Sequence, residues 1–288
     1  MTLLPPPADN VILPRPPRLR VWPSYVAVIS LIVGILAAQI GIVLLAGIFL
    51  AIRGVPAREI QNTLTDLASA PAYLAVVVMV NIGFELCAAL LPAMLSPVPL
   101  PRRLSLRRPR ISFVALSLAA LGVTCYAVAY DCFASLLALH SDTLESFSSS
   151  LDSGGPISLA VILFAVCLGA PIAEELFFRG YLQTRLAARH GPVLGILITA
   201  FFFGLIHMDP VQSPFAFGFG IYLGIIAYRS RSIFPTIFAH AFSNTCAVLL
   251  SLFLPLPHNA LLLTALMILL ASAALLLLLP TLLLTPRD

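Results

Sequence analysis

Runs of about 20 consecutive apolar residues recur along this chain, and no other feature restricts its fold as strongly. A helix rises about 1.5 Å per residue, so such a run crosses a hydrocarbon core of about 30 Å while pairing its backbone N–H and C=O groups internally. Candidate spans lie at 24–52, 72–95, 112–139, 157–186, 192–207, 214–228, 232–254 and 260–284. They predict an all-α fold, a polytopic membrane bundle of about eight transmembrane helices. With 60% hydrophobic and 10% charged residues and a mean hydropathy of +1.04, the composition excludes an ordinary soluble domain. The first run is too long for the apolar segment of a cleaved signal peptide, so it reads as a retained helix. Residues 1–22 read as an extended Pro- and Arg-rich tail, because proline lacks the N–H that a helix interior needs. Residues 23–288 read as one transmembrane domain.

Orientation follows from arginine, since the chain contains no lysine. Arg15, Arg18 and Arg20 precede the first span; Arg102, Arg103, Arg107, Arg108 and Arg110 follow the second. Arg185 and Arg189 follow the fourth, Arg229 and Arg231 the sixth, and Arg287 the eighth. With eight spans all of these fall on one face, and the positive-inside rule makes both termini cytoplasmic in a multi-pass cell-membrane protein. The loop from Asp142 to Gly155 has no basic residue and falls opposite; Arg53 and Arg58 dissent. The net charge of +4 is then a topology signal, which predicts the lipid bilayer as partner and no nucleic acid. The lysine-free, Arg-, Ala-, Leu- and Pro-rich composition is of a bacterial, GC-rich type. Five cysteines lie within predicted helices without C-x-x-C spacing and read as free thiols.

Charged side chains inside hydrocarbon need a partner or a cavity. The strongest set is Glu174, Glu175 and Arg179 in PIAEELFFRG, His207 in FFFGLIHMDP, and His240 and Asn244 in HAFSN. Glu175 and Arg179 are i and i+4 in the favourable acid-first order and can pair along one helix face. Glu174, about 100° further round the helix, needs a partner from elsewhere, and His207 and His240 are the histidines placed to supply one. His240 and Asn244 share a face, and Pro171 can open a polar pocket beside Glu174. A buried polar network that fixes packing and a proton or ion pathway are the alternatives. Asn81, Glu85 and Asp131 read as packing or cavity-lining groups, because no motif gathers them.

Among peptidase chemistries, the common ones are missing. There is no H-E-x-x-H, no lysine for a Ser–Lys dyad, no G-x-S-x-G elbow and no paired-aspartate motif. Activation of water remains. A carboxylate in a low-dielectric site is a better base than one in water, which suits Glu174 to that task. His207 could orient the water, and His240 with Asn244 could donate to the oxyanion. Glu174, His207 and His240 also make a His₂Glu donor set of the type that binds zinc. Both the direct and the zinc-assisted routes are open on these residues.

E-E-x-x-x-R at Glu174, Glu175 and Arg179, F-x-x-x-H at Phe203 and His207, and H-x-x-x-N at His240 and Asn244 occur in this order, each on a predicted span. Together they resemble the three motifs of the CPBP (ABI) family, the type II CAAX prenyl endopeptidases and their bacterial relatives. The resemblance covers about residues 157–250, which are then the catalytic region. It implies an eight-helix intramembrane endopeptidase of metalloprotease type, whose substrate is a membrane-associated peptide or protein. The first glutamate and first histidine would activate water; the second histidine and the asparagine would form the oxyanion site. A non-catalytic relative, acting as a bacteriocin-immunity or scaffolding protein, is the alternative that the resemblance implies, and a transporter is a further one.

Overall fold

The computed structural model describes residues 20–283 except 69, 255 and 258. The leader with Arg15 and Arg18, and Arg287 at the other end, lie outside the described residues. Every element among the described residues is helical, and none is a strand. In chain order they begin with α1 (Trp22–Ile52), α2 (Ala57–Ala68), α3 (Pro71–Met94), α4 (Leu100–Arg103), α5 (Phe113–Leu136) and α6 (Asp142–Ser153). A single rod, Pro156–His190, follows. It divides into α7 (Pro156–Phe164), a π-helical turn (Ala165–Gly169), α8 (Ala170–Glu174), a longer π-helical segment (Glu175–Gln183) and α9 (Thr184–His190). The chain closes with α10 (Pro192–Leu205), α11 (Gln212–Ser230), α12 (Phe234–Phe253) and α13 (Ala260–Leu282).

The boundaries follow from side-chain chemistry. Proline stands in the first turn of α1, α3, α7, α10 and α12, where its missing N–H has no intrahelical partner to lose. Ser112, Ser141 and Asn259 cap α5, α6 and α13 by accepting hydrogen bonds from first-turn N–H groups. Gly191, at φ 87°, makes the turn from α9 to α10. That turn is tight: a Cβ on Gly195 would lie 2.5 Å from the Ala187 backbone.

Among the described residues, six helices are long and apolar enough to cross a membrane: α1, α3, α5, the Pro156–His190 rod, α12 and α13. The chain is therefore a multi-pass membrane protein. Eight spans are not confirmed. The expected fifth span is α10, whose 14 residues give about 21 Å of helix, short of a hydrocarbon core. The sixth is α11, whose 19 residues include Gln212, Ser213, Arg229 and Ser230 and lower its apolar character. Helices α2, α4 and α6 fall outside the apolar runs. α2, which buries none of its residues, follows α1 and carries Arg58, while Arg53 caps α1 and stacks on Phe49. α6 bears Asp142, Glu145 and Asp152.

Packing gives the bundle two chemically different ends. At one end the loop after α4 is sewn to the loop after α11: Arg110 N–H donates to the Ser230 carbonyl and Ile233 N–H to the Ser105 carbonyl. The guanidinium groups of Arg103 and Arg185 both stand over the Tyr181 ring, at 5.1 and 5.0 Å, and Arg229 donates to carbonyls at the end of α13. Arginines that alternate along the sequence are thus gathered. At the other end Ser141 donates to Asp209 and Tyr130 to the Val211 carbonyl, beside the acids of α6. Between the ends, α5 packs against α12 and α13, α10 against α11, and α3 runs along the Pro156–His190 rod.

Candidate active site

The rod's departure from α-helical register is where the site begins. The N–H of Ala170 bonds the Ala165 carbonyl five residues back. Continued by one residue, that register asks the Val166 carbonyl to accept from residue 171, which is proline and has no N–H. Asn244 of α12 supplies the donor instead, with its Nδ2 2.9 Å from the Val166 oxygen. The rod thus passes Pro171 as a continuous helix, tied to α12 at the point where its own ladder fails. Glu174 closes α8 and Glu175 opens the longer π segment.

Glu175 and Arg179 pair as their spacing predicts, Arg179 Nη1 donating to Glu175 Oε1 at 2.8 Å with both side chains wholly buried. Arg179 also donates to the Gly220 carbonyl at 3.3 Å and lies 4.4 Å above the Phe203 ring. The second tie of Glu175 was not legible from spacing: His240 Nδ1 donates to the same Oε1 at 3.1 Å. The opposite ring nitrogen, Nε2, stands 3.7 Å from Glu174 Oε2. His240 therefore spans both glutamates. Its ring is held edge-on to Phe219 and Phe203, at 5.0 and 6.2 Å.

His207 sits just beyond α10, where its Nδ1 donates to the Phe203 carbonyl at 2.8 Å. A carbonyl can only accept, so Nδ1 carries the hydrogen and the neutral ring keeps a lone pair on Nε2. The following turn is anchored by Asp209, whose Oδ1 accepts from Val211 N–H and Gln212 N–H and whose Oδ2 accepts from Ser141. Burial opposes charge on Asp209. Hydrogen bonds from Gln212, Ser141, Val211 and Thr143 outweigh it and hold the carboxyl below its ordinary pKa.

The sequence over this region has a known likeness. Residues 156–246 match the family model of the type II CAAX prenyl endopeptidases, Rce1-like. Over this region, about a third of its length, the chain is similar to the CAAX-protease-like family. No curated protein and no solved structure matches it.

All six candidate site residues, Glu174, Glu175, Arg179, His207, His240 and Asn244, lie in or beside the bundle interior. Direct contacts join Glu174, Glu175, Arg179 and His240; Phe203 links that group to His207, and Asn244 bonds the backbone of the same rod. A zinc site on Glu174, His207 and His240 fits poorly. Among the described residues no group of three or more His, Cys, Asp or Glu side chains stands close enough to hold a metal ion.

A further acid belongs to this neighbourhood. Glu85 of α3 is buried, its charge interacts with that of Glu174, and its Oε2 has no hydrogen-bond partner. One turn earlier, Asn81 Oδ1 is also without a partner. Ile82 packs between them against Ala165 and Ala173 of the rod, so this face of α3 is the one turned toward the motif. The signal was present in the sequence as a carboxylate inside a 24-residue apolar helix. Asp131, treated alike in the sequence, is exposed on α5.

Proposed function

We propose that this chain is an intramembrane endopeptidase that hydrolyses peptide bonds of membrane-associated peptides or proteins with a water activated by Glu174 and His207. The observation that carries this reading is the double engagement of His240. Arg179 holds Glu175, Glu175 holds Nδ1 of His240, and Nε2 is left turned toward the Glu174 carboxylate. His207 is built the same way, with Nδ1 spent on an anchoring bond and Nε2 kept for the reaction. Two histidines with anchored Nδ1 and available Nε2, next to a carboxylate without a cation of its own, suit general acid–base work on water.

In this mechanism Glu174 accepts a proton from water while His207 Nε2 accepts the water's other hydrogen bond, and the oxygen adds to the scissile carbonyl carbon. The developing oxyanion accepts hydrogen bonds from protonated His240 at Nε2 and from the second amide hydrogen of Asn244, the first being held by Val166. Breakdown of the tetrahedral adduct cleaves the C–N bond, and Glu174 returns its proton to the leaving amine. No step is routed through a metal.

Synthetic membrane peptides incubated with the purified protein, beside Glu174→Gln, test this reading by mass spectrometry. New termini are expected with the wild type, with or without a zinc chelator, and none with Glu174→Gln. Cleavage by Glu174→Gln at the wild-type rate removes Glu174 from the mechanism. Loss on chelation with recovery on adding zinc installs a metal. A folded wild type that cleaves nothing supports the immunity or scaffolding role instead.

The gathered arginines support an orientation with that end, and both termini, in the cytoplasm. In a cysteine-free background, Arg108→Cys should react with an impermeant thiol reagent only in inside-out vesicles, and Arg58→Cys only in right-side-out ones. The reverse pattern inverts the topology.

A further inference from the structure

The turn that carries His207 is held from outside its own helix. Met208, the next residue, has φ 47°. A residue with a Cβ keeps that left-handed conformation only where its surroundings fix it. Asp209 fixes it locally: the side chain is buried, and Oδ1 accepts from Val211 N–H and Gln212 N–H, both at 2.8 Å. Those two bonds start α11, and one oxygen suffices for them; a serine or an asparagine would cap the helix as well.

The second oxygen goes elsewhere. Oδ2 accepts at 2.7 Å from the hydroxyl of Ser141, 68 residues away in the chain and equally buried. Thr143 donates to the same carboxylate. Tyr130 of α5 donates to the Val211 carbonyl at 2.8 Å, and Tyr126 to the Phe215 carbonyl at 3.0 Å. The second half of α5 and the start of α6 thus grip the chain from Asp209 to Phe215. His207 takes its own bond from within α10, on the Phe203 carbonyl. Where its ring points therefore depends on how the end of α10 is set, and Asp209 is two residues away.

We propose that Asp209 and Ser141 are positioning residues, whose bond locks the turn after α10 and so holds His207 Nε2 where the hydrolytic water meets it. Neither side chain touches that water, and the assignment rests on the role given to His207 above. A displacement of about 1 Å in such a group costs up to about 10²-fold in rate with every reacting residue still present.

The test is turnover of a membrane peptide by the full-length protein in detergent, beside hydrogen exchange of residues 207–213 read by mass spectrometry. Ser141→Ala should lower kcat by about 10–10²-fold with KM unchanged, and should speed exchange of that segment about ten-fold. Ser141→Thr, which keeps the hydroxyl, should restore both. Because the two residues act through one bond, Ser141→Ala/Asp209→Ala should be no slower than Asp209→Ala alone. Should Asp209→Ala fail to fold, Asp209→Ser, which keeps one oxygen for the cap of α11, takes its place in the cycle. A wild-type kcat in Ser141→Ala, a loss confined to KM, or losses that multiply in the double variant overturn the proposal. A wild type that cleaves nothing ends the peptidase reading by itself. Faster exchange in Ser141→Ala then still upholds the bond as what holds the His207 turn, and unchanged exchange overturns it.

Discussion

Two helices of this bundle invite comparison, the Pro156–His190 rod and α13. Both are apolar enough to cross a membrane. α13 is an α-helix from Ala260 to Leu282, with leucine and alanine predominating, and its one interior proline, Pro280, lies in the last turn. There Arg229 of α11 donates to the Thr281 and Leu282 carbonyls, which the helix end leaves without N–H partners. The rod breaks its α register twice, and at each break a group must find its partner on another helix. Val166 finds Asn244, and Glu175 finds His240. A helix that satisfies itself can serve only as a wall. One that does not is bound by chemistry to its neighbours, and its polar groups meet theirs at defined distances.

The comparison breaks first at Glu174. Replacing it with glutamine removes the proposed base and should lower the cleavage rate by about 10²–10⁴-fold, measured as turnover of a membrane peptide, with no loss of thermal stability. Full activity in that variant would reduce the rod to a polar version of α13.

Arg179→Ala leaves Glu175 and His240 buried without their cation, and should destabilise the protein by about 3–5 kcal/mol in a detergent unfolding series. A variant as stable as the wild type would mean that Glu175 is held by His240 alone.

Asn244→Ala should destabilise by about 1–3 kcal/mol through the stranded Val166 carbonyl, and Pro171→Ala supplies the missing N–H. The Pro171→Ala/Asn244→Ala double variant should therefore recover most of that stability without recovering cleavage, which separates the structural bond from the oxyanion role. Stability that stays low in the double variant would count against the register account.

The smallest effect belongs to the wall. Leu275, 70% exposed on α13, can be truncated in Leu275→Ala with a change of about 0.5 kcal/mol or less and no change in cleavage. A larger loss would show that α13 presents a specific contact surface there.

By itself the sequence determined what depends on short-range spacing. Apolar runs dictate helices in a membrane, because backbone groups in hydrocarbon must pair within their own segment. Alternating arginines place the charged loops at one end, and the four-residue spacing of Glu175 and Arg179 yields a bond within one helix face. The motif trio was readable for the same reason, since each part occupies a single helix. The tertiary structure decided everything that joins helices. It chose His240 over His207 as the neighbour of Glu174 and gave His240 a second bond to Glu175. It assigned Asn244 to a carbonyl that proline strands, and brought Glu85 to the motif from a helix without one. It also left α10 at 14 residues where an apolar run of sixteen, 192–207, suggested a full span. Hydropathy reports how well a segment dissolves in lipid, whereas register, π turns and interhelical contacts depend on the packing of side chains far apart in the chain.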